Sequence, residues 1–456
     1  MSRAAVSRSL RILLGGARLT LRGLWFLSLG VSAVLAGYVF GMPVLLYVGS
    51  FLVALPLVAL LFVRTRESTL AISRRFSSPV VEAGSTTTVT VHVDNRSRRA
   101  TSPVRWRDSL PWKPWLTQSG WLSRLSVAAG LVSDTSAAQL GYSLTPTDRG
   151  VFEIGPLVLE ATDPFELAWG AWNIGAKTPL IVTPRVVQLS PTALRAESGD
   201  GEARVVQRRA TGDDDDAMTR EYRRGDAMRR VHWKASARHG SLMVRQEEQH
   251  SYPQARIIVD TQLAGYPDAN GQKTIRAAGS HQGSPTRSAN FEWVVSMLAS
   301  AAVQLRREGF LLQIVETGPP QLSDAAVLHR RSAAEQELLT RLATFTPMDT
   351  PPDWWPAPQT ASAFRGPLIA LVSSPGAETI DFLLSQPTTE ALAVAFIVAT
   401  ESHFGDRARL SANHRPSLAE ELQDAGWRVI AVQPGDEVAD SWDLYVAESR
   451  QRRVND

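Results

Sequence analysis

The sequence predicts a multidomain protein with an N-terminal transmembrane helical hairpin, an antiparallel β-sandwich and a doubly wound α/β domain. Three observations carry this prediction. Two long apolar runs lie near the N terminus, at residues 24–40 and 44–63. Short stretches of alternating polar and apolar residues follow, up to about residue 189. Beyond residue 250, short apolar runs alternate with segments whose apolar residues recur at helical spacing.

Composition sets wide bounds on the protein. A chain of 456 residues is long enough for two or three domains. The absence of cysteine excludes disulfides, thiolate metal sites and cysteine catalysis. The net charge of +3 is a mild basic excess, which the positive-inside bias of a membrane protein explains as readily as nucleic-acid binding does.

The two apolar runs predict a membrane anchor. Each approaches the roughly 20 residues that a helix needs to cross a hydrocarbon core of about 30 Å. A cleavable signal peptide would not be followed at once by a second long apolar segment. Residues 1–23 are basic and Arg64 and Arg66 follow the second run, so the positive-inside rule places both termini in the cytoplasm. We therefore expect a multi-pass plasma-membrane protein with most of its chain cytoplasmic.

Residues 68–189 predict the β-sandwich, which we expect to be immunoglobulin-like. The run TTTVTVHV at residues 86–93 alternates with period two, and Gly155-Pro156 is one of several turn signals. Within this domain, four tryptophans crowd a loop at residues 106–121. This Trp-rich loop is either packed locally or in contact with lipid headgroups, since Trp favours that interface.

The next segment, residues 190–218, is polar and contains four adjacent acids at residues 213–216. A calcium-binding loop alternates its ligands with other residues and ends in Glu, and this run has neither feature. We therefore predict a solvated acidic linker.

Residues 251–440 predict the α/β domain. A first strand ends at Asp260, and a Gly- and Ser-rich stretch at residues 264–290 predicts a mobile insertion. Further strands are expected at residues 310–315, 368–372, 391–398 and 428–432, with helices between them. Five buried strands with interleaved helices indicate a doubly wound, mostly parallel sheet. Residues 441–456 are predicted to be a polar tail.

Residues 219–250, which we call the signature segment, combine a cluster of basic residues with apolar ones. A purely electrostatic arm would need no Trp233 and no apolar triplet at residues 242–244, so we expect these side chains to pack against a core with the guanidinium groups outside. Gly225 and Asp226 form a turn signal between arginines. The arginines serve either an internal Arg/Asp network or a surface that binds a partner.

The run EYRRGDAMRRVHWKASARHGSLMVRQEE resembles the signature of the bacterial domain of unknown function 58 family, and DRGVFEIGPLVLEATDPFEL at residues 148–167 is similar to a segment that precedes it in that family. The resemblance implies a von Willebrand A-like C-terminal domain. It also implies association with MoxR-type AAA ATPases and, in some members, with transglutaminase-like membrane proteins. The signature residues that it marks as candidates for partner binding are Tyr222, Arg223, Gly225, Asp226, Arg229, Arg230, Trp233, Lys234 and Arg238.

Asp260 is the candidate for chemistry, because ligands of such sheets bind at the carboxyl ends of the strands. The resemblance to von Willebrand A domains implies an Asp-x-Ser-x-Ser magnesium motif here, but Gln262 and Ala264 replace the two serines. Asp260 is thus the only matched ligand, although Thr261 or Ser373-Ser374 could contribute. We expect neither a Mg²⁺ ion nor another cofactor, since a hard cation needs several oxygen ligands.

Motifs for catalysis and nucleotide binding are absent. The sequence has no His-Glu-x-x-His, no Gly-x-Ser-x-Gly and no phosphate-binding glycine loop. We therefore expect a membrane-anchored, non-enzymatic interaction module, an adaptor or assembly factor that works with a MoxR-type AAA ATPase and does not bind nucleic acid. Two alternatives stay open: a divalent-metal-dependent hydrolase that uses Asp260, and binding of anionic lipid or nucleic acid through the Arg-rich signature.

Overall fold

The computed structural model describes residues 16–65, 70–97, 100–111, 119–126, 136–192, 219–222, 228, 231, 233–245, 253–268, 288–322, 327–328, 332–349, 366–386, 393–398 and 418–455. These residues belong to two compact units. The N-terminal unit is Met1–Pro184 with Ile275–Ser284, and the C-terminal unit is Arg185–Thr274 with Pro285–Asp456. Most of the predicted acidic linker, residues 193–218 with the four acids at 213–216, lies outside the described residues. Its first three residues are described, and Thr192 among them is buried.

Two helices open the N-terminal unit, α1 at Leu21–Phe40 and α2 at Pro43–Arg64. Both are long and apolar enough to cross a membrane. Gly41 ends α1 in the left-handed conformation, with φ of 63°, and Pro43 starts α2 where no backbone N–H is needed. The helices approach closely, because a Cβ on Gly30 would lie 2.8 Å from the backbone nitrogen of Val53.

The strands of this unit form three sheets. They are β1 (Ala17–Leu19), β2 (Leu70–Phe76), β3 (Val80–Glu82), β4 (Thr87–Asn95), β5 (Val104–Asp108), β6 (Ser119–Leu122), β7 (Ala137–Leu144), β8 (Gly150–Ile154), β9 (Leu157–Thr162), β10 (Ala168–Ile174) and β11 (Thr178–Thr183). The sheet orders are β1-β10-β9-β5-β6, β2-β4-β7 and β3-β11-β8, and the pairs are antiparallel except β3 with β11. Apolar side chains from all three sheets share one core.

Strand β1 changes the prediction for residues 1–23. We expected only a basic N-terminal segment there, but Ala17–Leu19 pairs with β10, and α1 begins at Leu21 instead of residue 24. The partner strand is about 150 residues away along the chain, and three residues carry too little periodicity to reveal such a pairing. Helix α1 therefore begins two residues after β1, an edge strand of the five-stranded sheet.

The Trp-rich loop divides into buried and exposed residues. Trp106 is buried beside Tyr142, with ring centroids 6.2 Å apart, while Trp121 on β6 is 73% exposed. Trp112 and Trp115 lie outside the described residues. Local packing therefore accounts for Trp106, and a lipid contact of the other tryptophans stays a prediction.

One mostly parallel sheet organises the C-terminal unit. Its strands are β14 (Gln254–Val259), β15 (Leu311–Glu316), β16 (Val327–Leu328), β17 (Leu368–Val372), β18 (Ala393–Val398) and β19 (Arg428–Val432). Their spatial order is β16-β15-β14-β17-β18-β19, and only the short edge strand β16 is antiparallel to its neighbour. The sheet is doubly wound, because the chain moves outward from β14 in both directions.

Helices cover both faces of this sheet. They are α4 (Ala289–Arg307), α5 (Ser332–Leu342), α6 (Ala377–Leu384), α7 (Leu418–Asp424) and α8 (Val438–Asn455). Ile257 packs in the cluster that includes residues of α4 and α8, and its neighbour Ile258 packs in the cluster that includes residues of α6 and α7. The strands are therefore buried on both sides, which explains their continuous apolar sequences.

Two predicted boundaries in this unit are wrong. The prediction of a polar tail at residues 441–456 is wrong, because residues 441–455 belong to α8, whose Trp442, Tyr445 and Val446 are buried in the core. The predicted insertion at residues 264–290 starts too early and ends too late, since Tyr266 is fully buried and Ala289 begins α4. In both places a few large apolar side chains outweigh their polar neighbours.

Candidate functional site

The signature segment folds on a two-stranded antiparallel hairpin of β12 (Thr219–Glu221) and β13 (Met243–Arg245). The Tyr222 N–H donates to the Leu242 carbonyl at 2.8 Å, and Val231 forms a bridge with Val244. A short helix, α3 (Trp233–His239), lies between the two strands in sequence. It is held to β13 by a hydrogen bond in which the Ser236 hydroxyl accepts the Met243 N–H at 2.8 Å. The segment is therefore a small folded element and not a solvated arm.

Burial in the signature segment follows our prediction only in part. Met243 and Val244 are buried, as is Val231, but Leu242 is 41% exposed. Trp233, which we expected in the core, is 67% exposed. Trp233 is the first residue of α3, and a helical side chain leans toward the N terminus of its helix, so no preceding turn lies beneath the ring. The burial prediction for Trp233 is wrong.

The other predicted signature residues divide by what the structure describes. Tyr222 is half-buried, Arg238 is exposed, and Lys234 lies within α3. Arg223, Gly225, Asp226, Arg229 and Arg230 lie outside the described residues. The choice between an internal Arg/Asp network and a binding surface concerns these arginines and Asp226, so it lies outside the described residues and both alternatives stay predictions.

Asp260 lies at the carboxyl end of β14, where the strand order reverses between β14 and β17. Its side chain is fully buried. Oδ1 accepts the Thr317 hydroxyl at 2.6 Å and the Gln262 N–H at 3.1 Å. Oδ2 has no hydrogen-bond partner among the described residues and faces Gly265, where a Cβ would lie 2.4 Å away. The carboxyl group is thus half satisfied.

Burial decides the protonation of this carboxyl. Desolvation raises the pKa of Asp260 to about 6, and the hydrogen bonds from Thr317 and Gln262 oppose the rise only partly. The same burial, together with the nearby carboxylate of Asp260, raises the pKa of Tyr266. The Tyr266 hydroxyl therefore stays protonated and donates to the Asp260 carbonyl at 2.7 Å.

Oxygen atoms around Asp260 are mostly engaged with the protein itself. Thr261 Oγ1 accepts the Gly318 N–H at 2.8 Å, and Ser373 Oγ accepts the Asn290 amide at 3.0 Å. In the part of the chain that the structure describes, no three His, Cys, Asp or Glu residues are grouped to hold a metal ion. The described residues thus offer a hard divalent cation one carboxyl, fewer oxygen ligands than it needs.

Sequence reasoning found Asp260 but missed Thr317, Asn290 and Tyr266. Thr317 directly follows β15, which is parallel to β14, so the two strand ends meet at the same edge. Asn290 is the second residue of α4, and Tyr266 follows a short 3-10 turn. Strand order and loop path decide these contacts, and the sequence shows only that polar residues follow strands.

The hairpin, α3 and the start of the α/β domain coincide with a known family segment. Residues 218–266 match the family model for DUF58, described as a protein of unknown function. The family resemblance of the signature segment is confirmed. This DUF58 segment covers β12, α3, β13, β14 and the Asp260 loop, so one family model spans both the signature segment and the strand-end carboxyl. No curated protein matches the chain in sequence.

Solved structures similar to this chain cover only parts of it. The CARDB domain of a Pyrococcus furiosus protein, solved in complex with di-metal ions, is 14% identical, with 25% of this chain and 88% of that chain covered at a TM-score of 0.18. The alkylpurine DNA glycosylase AlkC of Pseudomonas fluorescens, bound to DNA, is 6% identical, with 30% of this chain and 38% of that chain covered at a TM-score of 0.16. Spo0M, a sporulation control protein of Bacillus subtilis, is 11% identical, with 25% and 49% covered at a TM-score of 0.15.

Proposed function

We propose that this protein is a membrane-anchored, non-enzymatic interaction module that works as an adaptor or assembly factor with a MoxR-type AAA ATPase. In this proposal the signature segment is the docking surface, and a transglutaminase-like membrane protein is a further candidate partner. Helices α1 and α2 hold the chain in the plasma membrane. The arginines at the outer ends of the two apolar runs favour a cytoplasmic location for both units.

The exposure of Trp233 carries the proposal. Trp233 stands at the start of α3 and is 67% exposed, so burial in a core does not account for this ring. Met228 is 56% exposed and Leu242 is 41% exposed within the same segment, and Arg238 is exposed as well. Trp and Arg are the residues that most often dominate binding energy at protein interfaces. Exposed apolar side chains on a folded backbone suit a protein partner better than the phosphate groups of a nucleic acid or a lipid surface.

The fold of the C-terminal unit supports the finer proposal of a von Willebrand A-like domain. Its six strands lie in a doubly wound order with one short antiparallel edge strand. Such domains can bind partners without chemistry of their own. The comparison is one of fold alone, and fold by itself does not determine function.

The proposal is tested by affinity purification of the full chain from native membranes after mild cross-linking. Trp233→Ala removes the exposed ring of the signature segment, and Trp121→Ala removes a ring of similar exposure from β6 as the matched control. We expect an AAA ATPase with the wild type and the control, and its loss with Trp233→Ala. Equal recovery with all three proteins would show that the signature is structural. Arg229→Glu/Arg230→Glu extends the test to the basic residues.

Two alternatives predict other results. A divalent-metal-dependent hydrolase at Asp260 has one observation in its favour, the unpartnered Oδ2, and predicts that Mg²⁺ raises the melting temperature of the wild type but not of Asp260→Asn. The ligand set described above speaks against it. Binding of anionic lipid or nucleic acid through the arginines predicts an affinity that falls steeply with salt.

A further inference from the structure

The turn between β9 and β10, Asp163–Leu167, holds an apolar ring in an exposed position. The Asp163 carboxylate is buried, and it accepts the Phe165 N–H at 2.9 Å and the Ala168 N–H at 2.6 Å. Glu166 adopts a φ of 57°, which is uncommon for a residue with a side chain, and its N–H donates to the Asp163 carbonyl. Phe165, at the tip of this well-fixed turn, is 64% exposed.

The same turn is bonded to the first turn of α1. The Thr20 N–H donates to the Leu167 carbonyl at 2.9 Å, and the Thr20 hydroxyl donates to the Glu166 carbonyl at 2.6 Å. Arg22 forms an ion pair with the Glu166 carboxylate at 2.5 Å. A Cβ on Gly23 would lie 2.1 Å from the Leu167 carbonyl oxygen, so the turn touches the helix backbone itself. Phe165 therefore lies near the level at which α1 begins.

The end of α2 is fixed to the same region. Val63 is fully buried in a small cluster with Ala17, Ala59, Leu167 and Ala168. A Cβ on Gly170 of β10 would lie 2.7 Å from a Val63 methyl group. Both helix ends and the β9–β10 hairpin are thus one packed junction.

The length of α1 places this junction relative to a bilayer. Its 20 residues, at about 1.5 Å each, span about 30 Å, which is the thickness of a typical hydrocarbon core. The helix has no length to spare, so Leu21 and Arg22 lie at the boundary between hydrocarbon and headgroups. The Asp163–Leu167 turn lies at that boundary too. The Glu166 carboxylate, which a lipid surface would disfavour, is already paired with Arg22.

We propose that Phe165 inserts into the lipid at the boundary between headgroups and hydrocarbon. This contact rests on the membrane anchorage included in the proposed function. Because the turn is packed against both helix ends, a lipid contact of Phe165 adds a third point at which this junction meets the membrane. The turn thereby holds the β-sandwich in one orientation on the membrane surface.

The absence of cysteine allows single-cysteine labelling of the full chain in phosphatidylcholine vesicles. Phe165→Cys, labelled with a dye sensitive to its surroundings, reports on the turn. Lys177→Cys is the control at the other end of the hairpin, three residues beyond the Ile174–Leu157 pair, where the side chain is 55% exposed. Val48→Cys, within α2, reports whether the anchor is in the bilayer. The probes are nitroxides attached to acyl chains and a water-soluble iodide quencher.

We expect lipid nitroxides to quench the dye at position 165 several-fold more than the dye at position 177, and iodide to quench in the opposite order. Equal quenching at 165 and 177 by both probes would overturn the lipid contact while leaving the anchor intact, provided that Val48→Cys is quenched by lipid. Shielding of position 165 from both probes would also overturn it, in favour of a protein contact. If lipid does not quench Val48→Cys, the anchorage itself fails.

Discussion

Arg74 and Asp108 form a fully buried, two-bond ion pair inside the β-sandwich, with side chains that are 1% and 0% exposed. Nη2 lies 2.6 Å from Oδ1 and Nε lies 3.0 Å from Oδ2. The Tyr142 hydroxyl donates to Oδ2 at 2.6 Å, and burial with the Asp108 carboxylate raises the pKa of Tyr142, so the phenol keeps its proton. Arg74 also donates to the Ile154 carbonyl at 3.0 Å, which ties three strands together.

Removing one partner of this pair should be costly. In Arg74→Met the Asp108 carboxylate keeps its burial but loses its counter-charge, and we expect a loss of about 3–5 kcal/mol in unfolding free energy. Lys177→Met breaks the exposed pair with Glu153 and should cost less than about 1 kcal/mol. Hydrogen exchange of peptides from the β-sandwich measures both variants in the full chain. If Arg74→Met costs as little unfolding free energy as Lys177→Met, water reaches the Arg74 site.

Asp260 should make the C-terminal unit less stable as pH rises. Its ordinary pKa near 3.8 is raised to about 6 in the folded chain, so between these values the folded state holds a proton that the unfolded state has released. The unfolding free energy therefore falls by about 3 kcal/mol between about pH 4 and about pH 6, because the pKa differs by about two units between the two states. Above about pH 6 it stays constant.

Asp260→Asn removes this titration while its amide oxygen can still accept from Thr317 and Gln262. We expect the variant to equal or exceed the wild type in melting temperature above pH 6, and the difference to shrink as pH falls. The pKa of buried Glu316 is raised as well, so the pH dependence of the wild type alone does not report on Asp260. The melting temperatures of the wild type and the variant are therefore compared with each other at each pH. A constant difference across the pH range would contradict the raised pKa of Asp260.

The α/β domain could be predicted closely where burial on both faces makes the sequence unambiguous. Residues 368–372 and 428–432 are the observed strands β17 and β19, and residues 377–384 are the observed helix α6. Apolar runs of this kind, bounded by turn signals, are too short for buried helices and therefore indicate buried strands. The lone carboxyl at the strand end was also predictable, because Asp260 directly follows the first of these runs.

Contacts between residues far apart in sequence could not be predicted. The partner of β1 is β10, and the partner of the Asp260 carboxyl is Thr317, so both depend on strand order. The exposure of Trp233 depends on where α3 begins, and helix ends are the least certain part of a pattern. Helix α8 is different, because its sequence does contain a signal for a buried helix. Apolar residues recur there at helical spacing among many charged ones, at Val438, Trp442, Tyr445 and Val446.

Trp442 tests the importance of α8. The ring is fully buried, and its Nε1–H donates to the Ser190 carbonyl at 2.9 Å. Trp442→Ala removes a large core side chain and leaves that carbonyl without its donor, so we expect a loss of about 3–5 kcal/mol. Leu444→Ala, on the same helix but 54% exposed, should change stability by less than about 0.5 kcal/mol. Thermal unfolding separates the two, and equal melting temperatures would mean that α8 is dispensable.

Gly23 tests the junction between α1 and the Asp163–Leu167 turn. Alanine is preferred over glycine inside a helix by about 1 kcal/mol, so Gly23→Ala would be stabilising if space allowed. The Leu167 carbonyl oxygen, however, would lie 2.1 Å from the new Cβ, and a backbone atom cannot turn away as a side chain can. Relief requires the turn to move outward by about 1 Å, which breaks the bond from Thr20 to Leu167.

We therefore expect the clash to outweigh the helix preference and to cost about 1–3 kcal/mol, with faster hydrogen exchange at the turn and in β10. The matched control is Gly141→Ala in β7, where a Cβ meets nothing within 4 Å. That change should be neutral or slightly stabilising, because it only restricts the unfolded chain. If Gly23→Ala leaves exchange at the turn unchanged, the turn is not held against α1. The fixed depth of Phe165 at the membrane then loses its structural basis.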